Sequence, residues 1–568
     1  MTAPPTDGTG LRGHPDGPGQ VPGVTTGAPA ASRIPVAAVE RRGARDAADR
    51  VWMQLLPSAV TACVLAIGIA VPSYWRDEAA TVAAVRRPAG ALLQMLGRVD
   101  AVHGAYYLLI WPVSYLFGTN ELALRLPSLI AMSAAAGVVA ATGRRLVSPA
   151  AGLAAGLVFA VVPSVTEYGQ MARSYALVLL AAAVASYALV RALEEDAARS
   201  RWLCYSASLA LLGVLNIFGL LLIPAHAITM LAGQRGLGKG PAGLGPSRVP
   251  RRWLAAAGAA LAVTSPLIVL GYRQRGQISW VTYPGVGSLR NAAQLLGPPW
   301  MSVTLLVMTV AGLSASIARK PSAWASAPTG SARWRASAPF GVIALCLPWL
   351  VIPATLLLLA SALVTPVYTF RYIVFCVPAG ATLAGTGLAA IAGIARRRLA
   401  GPRGAAAIFV LITALGLGQQ VQYRQPGGHG DDIRGADEQI AASWKPGDAV
   451  YYPGAQLMPL GAAYPDGLSW LRAVQIAQPA VPSGTLAGTT VPVAVVRQRL
   501  ARSPRFWIVQ VDGLSSQWQL LYGLYFQLAR TWQVSDIWLQ LYVPSATAFG
   551  YPGPSAAGSN AWISRRVS

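Results

Sequence analysis

The chain has 568 residues, of which 54% are hydrophobic and 12% charged, and its mean hydropathy is +0.47. Soluble domains carry about 25% charged residues, so this composition excludes an ordinary soluble protein. The net charge of +24 does not signal nucleic-acid binding, because Lys and Arg gather in short clusters between apolar runs, the pattern that orients membrane proteins.

The first 50 residues are rich in Pro, Gly, Thr and Arg with few large apolar side chains, which reads as a disordered tail. The apolar stretch that follows starts too late and runs too long for a signal peptide. Uncharged runs then occupy 51–75, 126–143, 146–166, 174–190, 202–234, 253–272, 291–318, 336–370, 372–395 and 404–423. A bilayer core needs about 20 apolar residues per helix, so most runs fit one span each. The run 202–234 is long for one span, and Asn216 and Gly219 near its middle mark a turn between two short helices. The four cysteines, Cys63, Cys204, Cys346 and Cys376, lie inside these runs without CxxC spacing, so neither a disulfide framework nor a zinc site is indicated.

Residues 101–119 (containing AYYLLIWPVSYLF) are ambiguous between a short span and an interfacial helix. Charge decides between them. If 101–119 does not span, one membrane face receives five basic clusters, around Arg144, Arg199, Arg251, Arg319 and Arg397, together with the Arg-rich N-terminal tail. The positive-inside rule makes that face cytoplasmic. The expected architecture is therefore a bundle of about eleven transmembrane helices with a long first outer loop, 73–125, and a C-terminal extracytoplasmic segment from 424 onward. That segment reads as α/β: a helix at 433–444, strands at 449–452, 505–511 and 537–543, and a helix at 518–531. Its many Trp and Tyr side chains read as core before they read as a glycan-binding face.

Charged residues recur where helices reach the outer face. Asp77 and Glu78 follow the first span directly; Asp100, His103 and Tyr107 lie further along the first loop; Arg125, Glu167, Arg173 and Arg371 sit at outer helix ends. Singly, each arginine is as well explained as a snorkelling anchor and each acid as a solvated loop residue. Together they describe a carboxylate pair beside guanidinium groups at headgroup depth, and guanidinium suits phosphate. Chemistry on a lipid-linked phosphate is the reading they support as a set.

The ordered motifs WRDEAAT (75–81), DAVHGAYYLL (100–109), FGTNELALRLPSLI (117–130), YGQMARSYAL (168–177) and YTFRYIVFCVPA (368–379) resemble glycosyltransferase family 39. These are membrane enzymes of GT-C fold related to protein O-mannosyltransferases and the lipid A aminoarabinose transferase. The likeness covers roughly 50–425. It implies a GT-C-type helix bundle and a donor of sugar, mannose-like as in its relatives, on polyprenyl phosphate. It also implies inverting transfer to a hydroxyl of an envelope glycan, lipid or secreted protein.

By motif position the resemblance makes Asp77 the general base, with Glu78 beside it; Arg173 and Arg371, at outer helix ends beside the acidic loop, are the expected phosphate ligands, and Asp100, His103 and Tyr107 are expected in the substrate site. Relatives often carry His-Pro-Pro where this chain has His103-Gly104-Ala105, a departure that leaves the place of His103 open. No metal site is evident, although a carboxylate and the donor phosphate together suit a divalent cation. A transporter or flippase would show repeated halves and midplane charges, and neither is seen. A non-catalytic envelope assembly protein would have no need of the acidic pair and the arginines.

Overall fold

A computed structural model describes residues 36–193, 198–236, 248–317, 338–398, 401–464, 466–511, 513 and 525–545. The chain divides into residues 1–50 and a compact unit, 51–568. The expected tail lies mostly outside the described residues. Residues 36–50, however, are helical within α1 (Val36–Ala66), and their Ala and Arg content favours helix over coil.

The helices are α1, α2 (Arg76–Val85), α3 (Ala89–Arg98), α4 (Gly104–Phe117), α5 (Glu121–Leu146), α6 (Pro149–Val161), α7 (Pro163–Gly169), α8 (Tyr175–Ala192) and α9 (Arg199–Leu215). There follow α10 (Leu222–Gly236), α11 (Arg248–Arg273), α12 (Val286–Ala293), α13 (Pro299–Ile317), α14 (Ala338–Leu363), α15 (Val377–Arg398), α16 (Gly401–Gln422) and α17 (Ile433–Ser443). Among the described residues, five segments are long and apolar enough to cross a membrane: Glu121–Leu146, Tyr175–Ala192, Val249–Arg273, Gly341–Leu363 and Val374–Gly393. The bent pair α6–α7 makes a sixth. Shorter apolar helices cover Val51–Ala66, Ile217–Ala232, Pro299–Ala311 and Ala406–Gln422.

Local sequence explains the breaks. The 63° bend between α6 and α7 falls at Pro163, whose ring forbids helix at the residue before it; Val162 is accordingly extended. The run 202–234 does divide at Asn216, whose side chain accepts from Phe218 N and opens a new turn. Residues 101–119 form the 14-residue α4, about 21 Å long at 1.5 Å per residue and too short for a core of about 30 Å. Leu108, Leu109, Tyr115, Leu116 and Phe117 are exposed along it, as an interfacial helix requires. Small residues bring the long helices close: a Cβ on Gly385 would stand 2.3 Å from Ala155 Cα, and one on Gly152 would stand 2.4 Å from Ala140 O. Such contacts are how helices associate without a hydrophobic drive between them.

After α16 the chain forms a mixed five-stranded sheet in the order β2 (Arg472–Ala473), β1 (Ala449–Tyr451), β5 (Phe506–Val511), β7 (Ile537–Pro544), β6 (Phe526–Val534). The strands β1, β2 and β5 run parallel, and β7 is antiparallel to both β5 and β6. The short strands β3 (Ile476–Gln478) and β4 (Thr489–Thr490) pair apart from it. The expected helix at 433–444 and three expected strands appear. The helix expected at 518–531 does not: 514–524 lie outside the described residues, and 526–531 belong to β6, which pairs with β7 along its whole length. The aromatic and β-branched side chains of FQLARTWQV suit that ladder.

The sheet domain grips the segment 73–125. Asp431 Oδ2 accepts from Arg76 N at 2.8 Å and Arg76 Nε at 3.1 Å, capping the first turn of α2 from a distant segment. Tyr464 OH accepts from Tyr74 N at 2.9 Å and donates to Glu121 at 2.6 Å, while Arg434 pairs with Glu121. Arg87 and Arg98 donate to Thr485 O and Ser483 O, each at 2.6 Å.

Candidate functional site

Asp77 and Glu78 occupy the first turn of α2, where the helix dipole favours carboxylates. Adjacent helical residues project about 100° apart, so the two acids face different surroundings.

Glu78 turns into the protein. Its carboxylate accepts from Arg125 Nε at 3.0 Å and Nη2 at 2.8 Å, and from Ala172 N at 2.6 Å. Both side chains of the ion pair are wholly buried. Arg125 spends its remaining donors on Ile69 O, Pro72 O and Ser73 O. This lattice ties α1's outer end, α2, α5 and the α7–α8 turn together.

Asp77 turns outward and keeps 27% of its side chain exposed. Arg371 Nη1 donates to its Oδ2 at 2.6 Å. That guanidinium lies over the Trp75 ring at 5.3 Å and the Trp280 ring at 5.0 Å and stands beside Tyr175. Burial pushes the Asp77 pKa upward, but Arg371 and Arg173 outweigh it and hold the carboxyl below its usual range.

Arg173 is 4% exposed and joins the rest of the set. Its Nη1 donates to Asp77 O at 3.2 Å and Tyr107 OH at 3.3 Å, and its Nη2 lies 2.8 Å from His103 Nε2. Guanidinium can only donate, so His103 Nε2 accepts, leaving its proton on Nδ1. Burial, reinforced by Arg173, brings His103 down to about 4. Tyr107 OH donates to Asp100 Oδ2 at 2.5 Å. Asp100 sits at φ 63°, a left-handed conformation that Asp tolerates better than most residues.

Six of the seven residues assigned from sequence to the catalytic and substrate site thus form one connected chain, Asp100–Tyr107–Arg173–(His103)–Asp77–Arg371. Glu78 adjoins it through α2 but has its oxygens committed to Arg125 and Ala172. Sequence reasoning missed the indoles of Trp75 and Trp280 around Arg371, the Tyr175 contact and the role of Arg125 as partner of Glu78. Among the described residues, no cluster of three or more His, Cys, Asp or Glu side chains is arranged to hold a metal. Beside His103 a largely apolar cavity of about 500 Å³ opens, lined by Tyr175, Phe218, Ile268, Val367 and Tyr372 among others.

Residues 105–270 match the family described as dolichyl-phosphate-mannose-protein mannosyltransferase. The structure is similar to crystal structures of ArnT from Cupriavidus metallidurans. The apo state superposes with a TM-score of 0.55 at 13% identity, covering 86% of this chain and 97% of that one. The chain has the GT-C fold. The same ArnT bound to undecaprenyl phosphate gives a TM-score of 0.51 at 13% identity, with 86% of this chain and 97% of that one covered. No curated protein matches the sequence significantly. The GT-C likeness agrees with the fold expected from the sequence.

Proposed function

We propose that the protein is a membrane glycosyltransferase that moves a sugar, mannose-like by its family match, from a polyprenyl-phosphate donor to a hydroxyl of a cell-envelope glycan, lipid or secreted protein. The observation that carries this reading is the junction of the Asp77–Arg371 pair with Arg173 beside an apolar cavity. A polyprenyl tail suits the cavity, and its phosphate then meets guanidinium groups. The ArnT relative that binds undecaprenyl phosphate supports the donor class.

In this reading the acceptor O–H gives its proton to the Asp77 carboxylate as its oxygen attacks the anomeric carbon. The C–O bond to phosphate breaks on the opposite side, so configuration inverts. The leaving phosphate gains charge, which Arg371 stabilises without protonating it. Arg371 has a partly exposed guanidinium and contacts the phosphate directly. Arg173 is spent on protein partners, so it acts chiefly as a buried positive charge that also orients Asp77, Tyr107 and His103. Glu78 shapes the site by fixing α2. A divalent cation would have Asp77 and the phosphate as its ligands in this scheme.

The same reading sets the topology. We take the α6–α7 pair, the four shorter apolar helices and α9 as crossings beside the five longer spans, which would make the expected eleven. The N-terminus is then cytoplasmic and the sheet domain extracytoplasmic, with the Asp77 cluster at the outer face. The test is incubation of the purified full chain with labelled polyprenyl-phosphate sugars and a cell-envelope fraction. Transfer with release of polyprenyl phosphate is expected. Tight lipid binding with flux across vesicles and no transfer would instead mark a flippase.

A further inference from the structure

A second cavity lies across the 365–372 segment from the first. It holds about 230 Å³, and its walls include Glu167, Asn291, Gln294, Gln419, Tyr423 and Phe370. We infer that it is the subsite for the sugar ring of the donor, with Glu167 as the residue that reads the sugar's hydroxyls; this rests on the glycosyl-transfer reading above.

Position is the first argument. Thr365, Val367 and Tyr372 line the apolar cavity, whereas Phe370 lines the polar one. Arg371 stands in the dividing segment and reaches Asp77. A donor whose tail fills the apolar side and whose phosphate rests at Arg371 has its next unit, the sugar, on the Phe370 side. The bend at Pro163 redirects α7, the helix that carries Glu167, relative to α6.

Chemistry is the second. One carboxylate, three amides and a phenol line a space that otherwise offers the flat ring of Phe370. Amides both donate and accept, and a carboxylate accepts from two neighbouring hydroxyls; the aromatic ring suits the C–H face of a pyranose. Tyr423 lines the same wall as Glu167, which places a phenol beside the carboxylate. Gln419 Oε1 is shielded from solvent and has no partner, and so is Thr369 Oγ1, next to Phe370. Buried polar atoms are seldom left unsatisfied, and sugar hydroxyls would complete them. The volume falls below the roughly 300–1,000 Å³ of pockets for drug-sized ligands, which fits a single ring and not an extended glycan.

The test compares binding of undecaprenyl phosphate with a panel of undecaprenyl-phosphate sugars (mannose, glucose, arabinose) to the full-length protein. At least one sugar-bearing lipid should bind the wild type more tightly than the bare phosphate. Glu167→Gln should weaken that lipid by about ten- to a hundredfold, the size of a lost charge-assisted hydrogen bond, and leave undecaprenyl phosphate unchanged. Gln294→Ala, on another element, should move in the same direction and decides the matter should Glu167→Gln misfold. The inference is overturned if no sugar improves binding, or if both variants bind every sugar-bearing lipid as the wild type does. It is also overturned if only the acceptor KM rises, which would make the cavity an acceptor site. Failure of the wild type to bind undecaprenyl phosphate at all would instead remove the glycosyl-transfer reading itself.

Discussion

Replacing Glu78 by Gln separates a structural carboxylate from a reacting one. The substitution keeps size, and Gln Oε1 can still accept from Ala172 N, now 2.6 Å from the carboxylate. Its amide, however, turns a donor toward Arg125 Nη2, and the wholly buried guanidinium is left with no carboxylate, only the neutral Oε1 at Nε and the carbonyls of Ile69, Pro72 and Ser73. Breaking a buried pair and stranding its partner costs about 3–5 kcal/mol, a large part of the roughly 5–15 kcal/mol that holds a typical domain folded. The expected result is a melting temperature in detergent lowered by several degrees, with turnover per folded molecule near normal at low temperature. Adding Arg125→Met removes the stranded charge, so the double variant should lose at least about 1 kcal/mol less than the sum of the two singles. A Glu78→Gln protein that melts like the wild type yet has lost its turnover would refute this account and make Glu78 the reacting group.

Asp77→Asn should retain donor binding and cut transfer by about 10²–10⁴-fold, the usual contribution of a general base, as read in single-turnover assays with thermal melts as the folding control. Arg371→Ala should raise the donor KM by about ten- to a hundredfold, and Arg371→Lys should recover little, because a lysine cannot reproduce the bidentate fork; unchanged donor affinity would reduce Arg371 to a helix anchor. His103 is brought down to about 4 by burial and Arg173, so the unfolded chain binds its proton first. Stability from this group should fall as pH drops from about 6.5 to about 4, by up to about 3 kcal/mol, and level off below that; His103→Gln should flatten the profile of melting temperature against pH. In a background without the native cysteines, a membrane-impermeant thiol reagent applied outside should label Lys445→Cys and not Arg199→Cys, and the reverse would overturn the orientation.

Long-range features of the fold were legible because they follow from composition and local chemistry. Uncharged runs foretold the apolar helices, and Asn216 marked the break in 202–234; the balance of basic clusters kept 101–119 from being counted as a span, and it forms a helix of 14 residues. Residues 526–531 were misread because an apolar, weakly periodic segment fits helix or strand until its partner is known, and β7 is the partner. At the site, the motif order was enough to bring together Asp77, Asp100, His103, Tyr107, Arg173 and Arg371. The opposite environments of Asp77 and Glu78 were readable in principle, since neighbours on one helix cannot share a face. What no local signal could reveal was the set of partners contributed from far along the chain: Arg125 for Glu78, Trp280 for Arg371 and Asp431 for the start of α2.

The pairing of Asp77 with Arg371 bears on when the base becomes effective. While the two are bonded at 2.6 Å, the guanidinium lowers the proton affinity of the carboxylate. The acid is thereby kept ionised but is a weak base. In the proposed reaction the donor phosphate is a second anion that draws on the same guanidinium. As Arg371 shares its donors with phosphate, its hold on Asp77 weakens, and the carboxylate pKa rises, although Arg173 still lowers it. Proton affinity then grows only after the donor has bound. Water reaching the empty site meets a poor base, and an acceptor hydroxyl in the loaded site meets a better one. The stacking of Trp75 and Trp280 on Arg371 limits how far the guanidinium can swing, so phosphate and carboxylate must share it in place. In the proposed reaction, an arginine held this way couples the arrival of the donor to activation of the base without any movement of the backbone.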